Sequence, residues 1–297
     1  MKQGIDVTGE LLKSVSRSFY LTIRFLPQQM RPAVALGYML ARATDSVADT
    51  SSADEAQRVA ALQRMGAVIA GEEDAELAQL LSDTLAPAQQ NPAEATLLRR
   101  FAECVEALKS FPDEQVVLIR KVLATIIEGQ LWDLNYFREH DCVQNDGETR
   151  RYAYSVAGCV GEFWTELGYA TMGTRFCAED RKELMLAAGS RFGMGLQLIN
   201  ILRDRAEDAE RGRSYICSAP GKWMLRAQRY MIDGVDYSRC LGSFRLRFAS
   251  MLPALIGVET LKLLHKQADS GVRVKIPRRK VYFCMIKAFF ASLFKQS

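Results

Sequence analysis

No proline occurs between Pro112 and Pro220. Proline lacks a backbone N–H and its ring clashes with the preceding helical turn, so an interval this long, rich in Leu, Ala, Ile, Glu and Arg, predicts helices. Start signals agree. Ser52 with Glu55 reads as a capping box before AQRVAALQRMGAVIAG, and Pro112-Asp113-Glu114 opens QVVLIRKVLATIIEGQLWDL. No run of alternating strands, no G-x-G-x-x-G and no Walker loop is present. The expected class is all-α. Helices are placed at 8–20, 28–49, 53–70, 74–85, 92–109, 113–137, 149–171, 179–209, 220–232 and 236–268, with a last one from 279. Segments 149–171 and 184–202 are apolar on more than one face, which places them centrally.

A chain of 297 residues with 48% hydrophobic and 25% charged residues can build one large core, and a single domain over 1–297 is expected. The 39 basic and 35 acidic residues leave a net charge of +4, too near balance for a dedicated nucleic-acid binder. Seven cysteines without a C-x-x-C pair fit a reduced, cytoplasmic setting. Two histidines, His140 and His265, leave little material for a zinc site or a Ser-His-Asp triad. The start MKQGIDVTGELLKS has no apolar h-region and no stretch of 18 apolar residues follows, so no membrane span is expected. The segment KVYFCMIKAFFASLFKQS mixes lysines with aromatics. It suits peripheral contact with a membrane interface, or packing on the other helices, the reading preferred here.

Two polar stripes interrupt the apolar segments. In VALGYMLARATDSVAD, residues Tyr38, Arg42, Asp45 and Asp49 follow one another at steps of four, three and four. At about 100° per residue they share an arc of roughly 60°. In RFGMGLQLINILRDRAED, residues Gly193, Gln197, Asn200, Asp204 and Asp208 fall within roughly 80°. Carboxylates one turn apart repel unless a cation lies between them. Oxygen-only donors select a hard ion, and magnesium commonly takes one or two carboxylates together with water and substrate phosphates. One D-x-x-x-D pair is ordinary on a solvated helix. Two pairs, each extending a stripe with Arg42 or with Gln197 and Asn200, point to a metal–diphosphate complex.

Other segments are candidates of lower specificity. Ser16-Arg17-Ser18-Phe19 offers hydroxyl and guanidinium contacts to a diphosphate. Tyr152 and Tyr154 stand beside the small residues Gly158 and Gly161, which permit close helix approach or a kink. Arg211-Gly212-Arg213 either closes over a phosphate or ends a helix. VRVKIPRRK, residues 272–280, is a basic segment suited to a phosphorylated ligand or an anionic surface.

With these motifs assembled, the chain resembles the squalene/phytoene synthase family of head-to-head prenyl transferases from about residue 11 to 282. The matching pieces come in family order: SRSF at 16–19, Y-x-x-x-R-x-x-D-x-x-x-D at 38–49, Y-x-Y-x-V-A-G-x-V-G at 152–161 and Q-x-x-N-I-L-R-D-x-x-E-D-x-x-x-G-R at 197–213. The resemblance implies an isoprenoid-synthase-type helical bundle around a central cavity. It implies that Asp45, Asp49, Asp204 and Asp208 bind magnesium, or manganese in its place. Ser16, Arg17, Ser18, Tyr38, Gln197, Asn200 and Arg213 would contact diphosphate or the metal site, with Arg42 beside them, Tyr154 serving the first half-reaction and Phe19 lining the cavity. The chain departs from the family pattern at Ala48, where many relatives carry an acid, and at Cys217, where proline is frequent.

The implied reaction joins two farnesyl diphosphates through a cyclopropyl diphosphate, presqualene diphosphate. The SRSF start and the basic 272–280 segment look most like squalene synthases, which reduce this intermediate with NADPH, and make Lys275 and Arg278 the expected cofactor contacts. The alternatives are a phytoene or dehydrosqualene synthase working without reductant, or a presqualene diphosphate synthase. A different class, a non-catalytic helical assembly or lipid-binding factor, would tolerate loss of the motif aspartates, which are all intact. Ordinary terpene cyclisation would call for D-D-x-x-D, which is absent.

Overall fold

The computed structural model describes residues 6, 9–16, 19–266 and 274–294. Among them there is no strand, only an isolated bridge between Cys142 and Ser214, and the expected all-α class is observed. Contacts divide the chain into two compact units: Met1–Arg24 with Gln28–Leu134, and Phe25–Pro27 with Asn135–Ser297.

The first unit holds α1 (Glu10–Ser16), α2 (Phe19–Phe25, except its last residue), α3 (Arg31–Ala48), α4 (Glu55–Ala70) and α5 (Leu77–Leu80), which runs into a π turn at Leu81–Leu85. It continues with α6 (Pro92–Arg99), α7 (Phe101–Ala107) and all but the last three residues of α8 (Asp113–Phe137). Pro32 lies in the first turn of α3, where its missing N–H costs nothing. Leu36, Met39, Leu40, Ala43 and Val47 of α3 are fully buried. They lie about 100° to 200° around the helix from Tyr38, so burying them, at roughly 2 kcal/mol for each large side chain, turns the polar stripe away from the core.

Two details differ from expectation. The N-cap of α4 is Asp54, whose carboxylate accepts the Gln57 N–H at 3.3 Å, whereas the Ser52 hydroxyl donates to Ala88 O. The helix expected over 92–109 breaks at Arg100, whose φ of −102° and ψ of 12° leave the helical region.

The second unit holds α9 (Asp146–Ala153), α10 (Cys159–Met172), α11 (Lys182–Glu210), α12 (Pro220–Cys240), α13 (Phe244–Lys266) and α14 (Arg278–Leu293). A π turn at Tyr154–Gly158 joins α9 to α10. There the chain crosses α11 at backbone distance: a Cβ on Gly161 would stand 1.9 Å from Gly189 O, and one on Gly193 would stand 2.1 Å from Ala157 O. Only glycine fits such an approach. The break expected between 232 and 236 is not there. α12 runs through Gly234, where the Phe192 ring fills the space a Cβ would take, and stops at Leu241. Trp223, Phe176, Leu198, Met231 and Leu246 are fully buried in this unit. α14 packs Cys284 and Ala288 against Phe248, Met251 and Leu252 of α13, the packing preferred from sequence.

Candidate active site

In the first unit the stripe on α3 is built around Arg42. Its Nη1 donates to Asp45 Oδ2 at 2.7 Å and its Nη2 to Glu94 Oε1 at 2.6 Å. Glu94, on α6, also accepts from Asn91 Nδ2 at 2.9 Å and from Ser46 Oγ at 3.3 Å. Burial would raise the proton affinity of Glu94, but the bond from Arg42 and the other donors hold it below the ordinary value. Asp45 behaves oppositely. Desolvation, then the Asp49 charge one turn on, push its carboxyl up to about 7 despite Arg42. With 43% of its side-chain surface exposed, Asp45 is recessed but reachable. Tyr38 stacks on Phe19 at 5.3 Å and its hydroxyl donates to Val15 O. The Ser16 hydroxyl is used locally, donating to Leu12 O at 2.6 Å, and Arg17 and Ser18 lie outside the described residues.

In the second unit the stripe lies on α11. Asn200 Nδ2 donates to Gln197 Oε1 at 3.3 Å. Arg203 grips Asp204 with two bonds, Nε to Oδ1 at 2.9 Å and Nη2 to Oδ2 at 2.5 Å. The N–H groups of Arg211 and Arg213 both return to Asp208 O, with Gly212 at φ 72° between them, so Arg211-Gly212-Arg213 ends α11. Arg211 pairs with Glu207 at 2.7 Å. The chain beyond is pinned to α9: Tyr152 stacks on Tyr215 at 4.6 Å, and Thr149 Oγ1 donates to Tyr215 O at 2.8 Å. Tyr154 donates to Glu162 Oε2 at 2.9 Å, and desolvation with the Glu162 charge pushes its phenol up to about 12. It stays protonated at neutral pH.

Within each unit, then, the predicted residues stand together: Phe19, Tyr38, Arg42 and Asp45 in the first, with Asp49 exposed at the end of α3, and Gln197, Asn200, Asp204 and Asp208 along α11 in the second, with Arg213 just past its end. Sequence reasoning missed two acids. Glu94 was legible as the third helical residue after the N-cap Asn91, whose side chain accepts the Ala93 N–H. Glu162 was not. Eight α-helical steps from Tyr154 amount to roughly 80° of offset, and the π turn, by adding a residue to the turn, restores the alignment. Lys275 and Arg278 are exposed beside Pro277, the N-cap of α14.

Among the described residues no three His, Cys, Asp or Glu side chains converge as a metal cage. The donors nevertheless suit a hard cation that keeps open positions for phosphate, because desolvation and the neighbouring Asp49 charge already raise the affinity of Asp45 for a positive charge. Lys275 and Arg278 offer a nicotinamide cofactor charge alone.

A family model described as squalene/phytoene synthase matches residues 12–225. A bifunctional lycopene cyclase/phytoene synthase of Pyrenophora tritici-repentis is 29% identical over 227 residues, covering 76% of this chain and 36% of that protein. Phytoene synthase 1, chloroplastic, of Zea mays is 27% identical over 219 residues, covering 73% of this chain and 45% of its own. The chain thus spans less than half the length of these curated relatives. A solved structure of TcSQS with the ligand E5700 superposes with a TM-score of 0.74 at 22% identity, covering 95% of this chain and 86% of that one.

Proposed function

Because the chain belongs to the squalene/phytoene synthase family, we propose that it condenses two prenyl diphosphates head to head, farnesyl diphosphate being the substrate favoured by the sequence. The observation that carries the reading is the pair of acid stripes on α3 and α11, with Asp45 raised to about 7 and therefore poised to exchange a proton for a metal ion. Asp45, Asp49, Asp204 and Asp208 would hold magnesium, which when bound neutralises the charge that develops on a departing diphosphate. Arg42, fixed between Asp45 and Glu94, keeps a guanidinium at the first stripe. Gln197 and Asn200 supply neutral amides at the second. The stacked Phe19 and Tyr38 offer π faces to an allylic cation. Tyr154, held protonated by Glu162, offers a phenolic oxygen whose proton is committed to that carboxylate.

The first product is a cyclopropyl diphosphate. Reduction to squalene, with NADPH at Lys275 and Arg278, is the continuation the sequence favours. Rearrangement without reductant is the second reading, supported by the phytoene synthase names of the relatives. Incubation with farnesyl diphosphate and magnesium, with and without NADPH, separates them. Squalene only with NADPH supports the first, and one dehydro product in both tubes supports the second. Absence of any diphosphate release from farnesyl or geranylgeranyl diphosphate would refute the condensation itself.

Peripheral membrane contact belongs to the same proposal. Tyr282, Phe283, Ile286, Phe289, Phe290 and Leu293 of α14 are 47–63% exposed and occupy one side of the helix, opposite Cys284 and Ala288. A face of this composition beside Arg278, Arg279 and Lys287 fits an anionic lipid surface. Phe244–Lys266 is long and apolar enough to cross a membrane, but 56% of its apolar window is buried by the protein, as in a core helix. Flotation with anionic vesicles, lost in a Phe283→Ser/Phe290→Ser variant, is the expected result.

A further inference from the structure

A cavity of about 780 Å³ in the second unit is lined by Arg150 of α9, Arg191 of α11, and Lys222, Arg226, Arg229 and Asp233 of α12. Arg191 stands about 180° around α11 from Asn200, so this cavity lies on the face opposite the metal-binding stripe. Its lining sets five cations against one carboxylate, an excess as large as the net charge of the whole chain.

Three of the five cations have partners on the protein. Arg191 Nε donates to Asp233 Oδ2 at 2.6 Å, and Lys222 pairs with Asp146. The Arg226 guanidinium lies 5.1 Å over the Trp223 ring. That indole is fully buried and donates to Ser218 Oγ at 2.9 Å, and Ser218 in turn donates to Asp146 Oδ1 at 2.8 Å. One carboxylate thus fixes both the Lys222 ammonium and the platform under Arg226. Arg226 Nη1 is buried without an acceptor, and a buried charged donor left unsatisfied is costly. Arg150 and Arg229 are exposed at the same cavity. Tyr230 and the exposed Leu225 complete the lining and give an organic moiety something to rest on.

We infer that this cavity is a binding site for a phosphorylated ligand bearing at least two negative charges, separate from the acid stripes and independent of the reaction proposed for them. Guanidinium groups pair with phosphate oxygens through two parallel bonds, and the two already held, Arg191 and Arg226, surrender little freedom on binding. The ligand is either a soluble phosphate ester or the headgroup of an anionic phospholipid, and the chemistry of recognition is shared.

The test is titration calorimetry of the whole chain with inorganic diphosphate in EDTA, so that no metal links the ligand to the aspartates, together with sedimentation on phosphatidate vesicles against phosphatidylcholine vesicles. Binding of either probe that weakens at least tenfold in Arg226→Gln and in the surface pair Arg150→Gln/Arg229→Gln, and persists in Asp204→Asn, is expected. Retention on phosphatidate that weakens in Arg150→Gln/Arg229→Gln and persists in Phe283→Ser/Phe290→Ser, without diphosphate binding, assigns the lipid source; diphosphate binding assigns the soluble one. Equal affinity in wild type and in the Arg150→Gln/Arg229→Gln protein, which keeps every buried group, overturns the proposal. So does failure of wild type to bind both probes.

Discussion

Replacing Glu94 by Gln tests whether Arg42 is positioned by α6. The Arg42–Glu94 contact is 2.6 Å, with only 12% of the Glu94 side chain and 26% of the Arg42 side chain exposed, so little water replaces what is removed. Hydrogen bonds to charged groups are worth about 1.5–3 kcal/mol, and breaking a fully buried pair costs about 3–5 kcal/mol. Both groups here retain some solvent, and glutamine keeps one acceptor oxygen. Its NH2, however, meets a site built from the donors Arg42, Asn91 and Ser46. A loss of about 2 kcal/mol follows, near the low end of the charged range. At roughly 2–4 °C per kcal/mol for a domain of this size class, the melting temperature falls by about 4–8 °C.

The assay is thermal unfolding in EDTA of the wild type, Glu94→Gln, Arg42→Gln and the double variant. The expected coupling energy is about 1.5–2 kcal/mol, because residues sharing one ion-pair network are not additive. A second readout separates positioning from bulk stability. Glu94 raises the proton affinity of Asp45 and Arg42 lowers it, so neutralising Glu94 leaves Arg42 to Asp45 and moves the Asp45 midpoint below about 7. A coupling energy under about 0.5 kcal/mol with an unmoved Asp45 midpoint would show that Glu94 does not position Arg42.

Asp45→Asn and Asp204→Asn should keep the far-UV helical signal while magnesium-dependent turnover falls by a hundredfold or more, on the order of 3 kcal/mol of transition-state stabilisation; full activity in both would sink the metal assignment. Tyr154→Phe removes the donor to Glu162 and should abolish cyclopropyl diphosphate formation, followed by product chromatography; normal yield removes Tyr154 from the chemistry. Asp74, gripped by Arg64 through two 2.6 Å bonds, is lowered to about 2. Its contribution to stability is therefore complete above the ordinary value of 3.8 and is lost as pH falls toward 2; carbon-detected titration should show the midpoint rising toward 3.8 in Arg64→Gln. Gly161→Ala would force a methyl to 1.9 Å from Gly189 O, and separation of α10 from α11 should cost about 3 kcal/mol or more, seen as a lower unfolding midpoint in urea.

What was legible in the sequence is what one helix can hold by itself. The arcs on α3 and α11 follow from 100° per residue, and the close approach at Gly161 follows from small residues in an apolar segment. Interactions between helices were hidden for a definite reason: their sequence separation carries no period. Arg42 and Glu94 are 52 residues apart, and Arg191 meets Asp233 across 42. The cavity cations Arg150, Arg191 and Arg226 each read as one more charge on a helix. Phase errors hid the remainder. The π turn after Tyr154 shifts every later position, which concealed Glu162, and Gly234 looked like a break because the ring of Phe192 that fills its place comes from another helix. Asp45 shows both cases in one carboxyl. Asp49 and Arg42, its neighbours on α3, could be placed from spacing and pull its proton affinity in opposite directions. Desolvation by surrounding helices is the largest influence, and it makes a recessed, proton-binding aspartate from what spacing alone would leave as a solvated one.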